Sequence, residues 1–323
     1  MYRIDDSTAS TTLPTPEAAG TEGYFTEGNP ATGTPATKVR GSWLNMIQEE
    51  LRAIVAAAGL TPSKTTYNQV NTALQKMYSP VVGTARNLVS NLAAASATKS
   101  VTADEIVVGT ALGGQKYLLP SFSATGNLTT TGVNGMDTGS APVSGFVAEY
   151  AIYNPTTGAK GLLYQNATSA AAPNVYSGAY MPSGYTASAL ASVWPTNSSG
   201  QFIAAYQTDR SIYFALTSVL TITALQASFT SFSLSSTVPK NARGVTGNGA
   251  VTNSTTASNN AFAIAGSAAG IGQKTFGANI STVGGFGGAL DRVPMATPQT
   301  LYYNMTGTGG TFTASLSISG YDF

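Results

Sequence analysis

The sequence contains no cysteine and no histidine. Without cysteine it can form no disulfide and do no thiol chemistry, which suits a chain made in a reducing cytoplasm. Without histidine, Ser-His-Asp catalysis and His-based zinc sites are excluded, and the commonest general base is gone. Charge is also scarce, at 9 % of 323 residues where roughly a quarter is usual. The net charge of +1 comes without any block of one sign, so nucleic acid finds no electrostatic footprint. No apolar run approaches the roughly 18 residues of a membrane span. The opening MYRIDDSTAS lacks the basic-then-apolar order of a signal peptide. An apolar content of 42 % and a mean hydropathy of +0.05 fit a soluble globular chain.

What charge there is lies unevenly. Residues 1–78 hold 13 of the 29 charged side chains, and the remaining 245 residues hold 16. The same boundary separates two kinds of pattern. Residues 1–38 carry prolines at 14, 16, 30 and 35 among Thr, Gly and Ala, and cannot bury enough to offset their own ordering entropy. They read either as a loose terminus or as an extended arm that orders on a partner, anchored by Leu13, Tyr24 and Phe25. The second reading is favoured because the arm runs directly into a well-specified helix.

That helix is expected over 39–60, VRGSWLNMIQEELRAIVAAAGL. Leu44, Ile47, Leu51, Ile54 and Ala58 recur at steps of 3, 4, 3 and 4, giving one apolar stripe, which Trp43 and Val55 widen. Ser42 is the expected cap, and Gly59 with Pro62 the stop. A second helix is expected over about 62–78, with Thr61 as cap and Tyr67, Val70, Leu74 and Met77 in phase. The pair forms a helical junction over 39–79, either closing on itself as a hairpin or lending its stripes to other copies. Residues 80–100 read as a small-residue connector with some helical character.

From residue 101 to 323 the pattern turns to period two, which predicts a β-rich head built as an antiparallel sandwich or jelly-roll-like body. Expected strands include 105–108, 115–119, 145–153, 161–165, 187–194, 201–206 and 211–217. The clearest is TFTASLSIS, where Phe312, Ala314, Leu316 and Ile318 alternate with hydroxyl side chains. Leu301–Tyr303 is expected to pair with it across 307–310. The Gly-, Asn- and Ser-rich stretch 244–290 reads as short strands joined by long surface loops.

Candidate chemistry is thin. Of the seven acids beyond residue 100 only Asp104 and Glu105 are adjacent, and neighbours on a strand face opposite ways. A glycosidase would need two acids facing one another across a sugar. GSAAGIGQKT at 266–275 misses the phosphate-loop pattern, with Gln273 where lysine should follow Gly272. No catalytic residue, cofactor or metal is therefore expected. Aromatic rings remain as binding candidates, since they stack on sugars and anchor protein contacts. Tyr176, Tyr180 and Tyr185 cluster in NVYSGAYMPSGYTA, and Phe276 and Phe286 lie in the Gly-rich stretch. Each is equally a ring that packs its segment onto the body.

The opening MYRIDDSTAS, the run TLPTPEAAGTEGYFTEGNPATGTPAT and SWLNMIQEELRAIVAAAGL–TPSKTTYNQV resemble the N-terminal attachment module of bacteriophage tail fibres, especially those of temperate, long-tailed phages. VTADEIVVGTALGGQKYLL, MDTGSAPVSGFVAEYAIYNPTTG, MPSGYTASALASVWPTNSSGQF, TVPKNARGVTG and SGYDF share the family's character. The resemblance implies a homotrimeric virion protein assembled in the bacterial cytoplasm. It also implies docking on tail-tip or baseplate proteins, through Leu13, Tyr24, Phe25, Trp43, Leu44, Ile47, Leu51 and Ile54. The head would recognise a host surface glycan or pilus protein. The alternatives are a structural adaptor that positions another receptor-binding protein and, with less support, a glycan depolymerase.

Overall fold

A computed structural model describes residues 2–78, 80–255, 258–280, 284–308 and 310–323, with the backbone alone for 278–280. The chain divides into two compact units, Met1–Ser79 and Pro80–Phe323.

In the first unit, α1 (Gly41–Ala57) follows the spacing of its apolar residues. It starts behind Arg40, which makes no side-chain cap bond. Ser42, the expected cap, instead lies inside the first turn of the helix. The stop is as expected: Gly59 turns left-handed at φ 68°. Its N–H bonds Ala56 O at 2.8 Å and the Leu60 N–H bonds Val55 O at 3.2 Å, the paired closure that a C-terminal glycine permits. α2 (Gln69–Tyr78) is shorter than expected, beginning seven residues past Pro62. The Gln69 side chain accepts from Ser63 N at 2.9 Å and donates to Thr61 O at 2.8 Å, holding 61–68 as a loop. Ser63 also takes the Thr65 N–H and the Thr66 hydroxyl, the local bonding by which Ser and Thr compete with a helix.

The second unit is mainly β and antiparallel throughout its named pairings. In chain order the strands are β1 (Ala85–Arg86), β2 (Val89–Leu92), β3 (Thr98–Gly109), β4 (Lys116–Asn127), β5 (Phe146–Tyr153), β6 (Lys160–Asn166), β7 (Ala187–Pro195) and β8 (Ala205–Thr208). They continue as β9 (Ser211–Ile222), β10 (Gln226–Ser233), β11 (Gly244–Asn253), β12 (Ser258–Ala265), β13 (Lys274–Ile280), β14 (Gly284–Pro294), β15 (Thr300–Gly307) and β16 (Phe312–Asp322). The expected connector, 80–100, therefore carries β1, β2 and the start of β3, and no helix. One large sheet runs β14-β11-β16-β9-β8-β2-β3-β7-β5-β6, with β1 and β4 also paired to β3. A four-stranded sheet, β10-β15-β12-β13, packs on β11 and β14.

Local chemistry explains the turns. Between β5 and β6, Asn154 Oδ1 accepts from Thr156 N and Thr157 N at 3.0 and 3.2 Å, and Gly158 closes the turn at φ 76°. On β16 the apolar residues Phe312, Ala314, Leu316 and Ile318 are all buried, as the alternation requires. Its partners differ from expectation: β16 pairs with β11 and β9, whereas Leu301–Tyr303 lies in β15 of the smaller sheet. The stretch 244–290, expected as short strands joined by long surface loops, carries four strands of 7 to 11 residues, β11 to β14. Two of its glycines sit where the two sheets meet. A Cβ on Gly249 would come within 2.3 Å of the Phe276 ring, and one on the facing Gly288 within 3.8 Å. Glycine here makes room for an aromatic ring between layers.

The head core is built from large rings, with Trp194, Tyr150, Tyr164, Phe146 and Phe202 fully buried among its apolar residues.

Candidate functional site

The first unit has almost no core. Its buried apolar side chains are Val55, Ala58 and Ala73. Ile47, Leu51 and Ile54 are only half covered, and Trp43 and Leu44 are exposed. The stripe that makes α1 a helix is thus left open along much of its length. Leu44 and Ile47 form one wall of a groove of about 740 Å³ that Val70, Tyr67, Tyr2 and Ile4 complete. The start of the arm is pinned along its rim. Arg3 makes a bidentate pair with Glu49, the Arg3 Nη2 to Glu49 Oε2 distance being 2.7 Å. Ile4 N donates to Gln48 Oε1 at 3.2 Å, and Lys64 Nζ lies 2.8 Å from Asp5 Oδ2. The hydrogen bonds from Lys64 and Arg3 lower the pKa values of Asp5 and Glu49.

The other proposed anchors are on the surface. Leu13 is exposed, and Tyr24 is 98 % exposed. Phe25 rests edge-on against Trp43, with ring centroids 5.0 Å apart.

In the head, the five candidate rings separate. Tyr176 is interior. Its hydroxyl donates to Asp137 Oδ2 at 2.9 Å, and its ring stands edge-on to Tyr150 at 5.4 Å. Burial and the neighbouring Asp137 push its hydroxyl up to about 12. Phe276 is buried between the sheets. Neither can offer a face to a ligand, because packing of the body claims both rings. Tyr185 is half-buried against the core. Tyr180 at 58 % exposure and Phe286 at 46 % remain on the surface.

The acids of the head are taken up singly. Asp104 accepts from Asn87 at 2.6 Å, Asp209 from Leu88 N at 3.2 Å, and Asp322 from Arg292. Asp291 lies 3.7 Å from Lys274. Among the described residues no three His, Cys, Asp or Glu side chains cluster as metal ligands, and no helix is long and apolar enough to cross a membrane.

One ionic group is sealed inside. Lys99 Nζ lies 2.8 Å from Glu149 Oε2, with both side chains fully buried. Nζ also sits over the Trp194 ring at 4.4 Å and the Phe202 ring at 5.5 Å. Desolvation lowers the lysine's pKa against the pull of Glu149. The Tyr164 hydroxyl lies near the same carboxylate and is raised well above its ordinary value, chiefly by burial. With no exposed atom the cluster cannot meet a soluble substrate, so it acts as a lock between β3, β5, β6 and β7.

Two surface rings escaped the sequence reading. Tyr206 on β8 and Tyr213 on β9 are direct cross-strand partners, 42 % and 44 % exposed. The signal was present in AAYQTDRSIYFA. Closing that segment as a two-residue hairpin at Asp209-Arg210 pairs the tyrosines automatically.

No family model matches the chain. A stretch of 77 residues is 43 % identical to the "Uncharacterized protein StfP" of Escherichia coli (strain K12). That match covers 24 % of this chain and 35 % of the relative, so about a third of the relative's length is represented.

Proposed function

We propose that the chain is a tail fibre of a tailed bacteriophage, a virion component that docks on the tail by its helical unit and binds a bacterial surface receptor with its β head. The observation that carries this reading is the contrast between the two units. One is a large body with a continuous ring-filled core. The other buries three apolar side chains among its described residues while leaving much of its helical stripe and its arm anchors open. A segment of that kind gains its order from association. The sequence resemblance supplies the kind of assembly: a homotrimer joined to tail-tip or baseplate proteins. The related stretch in a protein of E. coli (strain K12) supports a bacterial setting. The head acts by binding without turnover, and needs no cofactor.

The test is made on virions of the phage encoding the chain. Antibody against residues 80–323 should label the tail end in electron micrographs, and purified chain should compete for adsorption to the host. Unlabelled tails, or adsorption indifferent to saturating chain, would refute the reading.

A further inference from the structure

The outer face of the large sheet near the β8–β9 hairpin is built differently from the rest of the head. Across five strands one row of residues reads Asn91, Tyr206, Tyr213, Gly320 and Thr246, each directly opposite the next. The row behind it, Ser90, Gln207, Ile212, Tyr321 and Val245, is buried throughout, so the first row faces out. Two glycines shape this surface. A Cβ on Gly320 would fall 3.0 Å from Tyr213 Cδ1. The missing side chain therefore leaves room for the tyrosine ring at Gly320, and that ring stays part-exposed. A Cβ on Gly244 would fall 2.7 Å from Asp322 Oδ1 and 2.9 Å from Arg292. That missing side chain lets the carboxylate and guanidinium lie across the strand, joined at 2.8 and 2.9 Å.

Asp322 is two residues from Gly320, roughly 7 Å along the strand, and opposite Ser211 and, beyond it, Thr208. Two flat rings thus adjoin a row that offers hydroxyls and one neutralised ion pair. The pair uses one lone pair on each carboxylate oxygen and two guanidinium N–H groups. Among the described residues no other side chain bonds the Asp322 carboxylate or Arg292 Nη1, which leaves acceptors and donors for a ligand. An apolar ring face beside paired donors and acceptors, with no net charge, is complementary to one chemistry. That chemistry is an uncharged sugar, whose C–H face stacks while its hydroxyls both donate and accept.

We infer that Tyr206 and Tyr213, with Asp322 and Arg292, form a glycan-binding platform for neutral hexose units. The inference rests on the receptor-binding reading and gives it a place and a ligand class.

The test uses the full chain on an array of immobilised gluco-, galacto- and manno-oligosaccharides, with binding to host cells measured in parallel. The wild type should bind at least one of these sugars. Tyr206→Ala with Tyr213→Ala should weaken that binding about tenfold or more. Tyr206→Phe with Tyr213→Phe, which keeps the stacking faces, should retain most of it. Tyr180→Ala with Phe286→Ala should leave it unchanged. Melting temperature and light-scattering mass of each variant report folding and assembly. Cell binding that persists in the double alanine variant, or a wild type that binds cells but no neutral sugar, overturns the platform and leaves the receptor reading standing. Failure of the wild type to bind cells removes the receptor reading itself. A double alanine variant that is folded but has lost copies shows the face to be covered by another chain, and also overturns the platform.

Discussion

At the residue scale, the sharpest consequences come from the buried ion pair. Lys99 and Glu149 each lie fully inside the head, so removing one partner strands the other's charge in low dielectric. Lys99→Met should therefore lower stability by about 3–5 kcal/mol, read as a fall in denaturation midpoint. Lys99→Met combined with Glu149→Leu should recover much of that loss, since an apolar replacement of both partners leaves no orphan charge. A double variant no more stable than the single would show that the pair does more than balance itself. Gly126 gives a second test. It is paired with Lys99 across β3 and β4, and a Cβ there would meet the Tyr164 hydroxyl at 2.0 Å. Gly126→Ala should cost about 1–3 kcal/mol by overpacking, whereas Gly132→Ala tests only the backbone, because its Cβ would meet nothing within 4 Å. None of this was legible in the sequence: Lys99 looks like one more solvated lysine until three strands close over it.

At the scale of elements, period and local bonding account for what could be read in advance. α1 follows from its 3–4 spacing and ends at Gly59, and β16 follows from its alternation, because both signals are local. The shortened α2 was missed because Gln69, Ser63 and Thr61 bond to one another in place of a first helical turn. The pairing of β5 with β6 across Asn154–Gly158 was legible from its turn residues, whereas the partners of β16 and the sheet interface were missed for a different reason. Whether Gly249 and Gly288 mean a loop or the seat of Phe276 depends on a ring from another strand. The apolar stripe of α1 was legible from its spacing, while the groove beside it depends on where the arm lies. The open stripe makes its own prediction. Ile47→Asp with Leu51→Asp puts two charges on α1 and should abolish loading of the fibre onto tails, with the head's melting transition unchanged. Normal loading would contradict a docking role. The arm should also respond to acid. Asp5 and Glu49 have lowered pKa values when bonded to Lys64 and Arg3. Their contribution is thus present above the ordinary carboxylate value of about 4 and is lost as pH falls through the lowered values. Hydrogen exchange of residues 3–6 should be slowed at pH 7 relative to the free peptide, and this protection should disappear near pH 2. Protection independent of pH would mean that the ion pairs do not hold the arm.

At the scale of the whole molecule, the proposed tail-fibre role divides attachment between a hydroxyl-rich β body with its own core and a helical unit that buries few apolar side chains. In that proposal the head makes its contacts through exposed rings, hydroxyls and the Asp322–Arg292 pair. The helical unit leaves much of its apolar stripe open, a surface that in the proposed fibre is covered by other copies or by the tail. The homotrimer is the part of that proposal which the solution mass of the chain tests most directly. Light scattering should give three times the chain mass of 32.9 kDa at micromolar concentration. A mass of one chain under the same conditions would contradict the account.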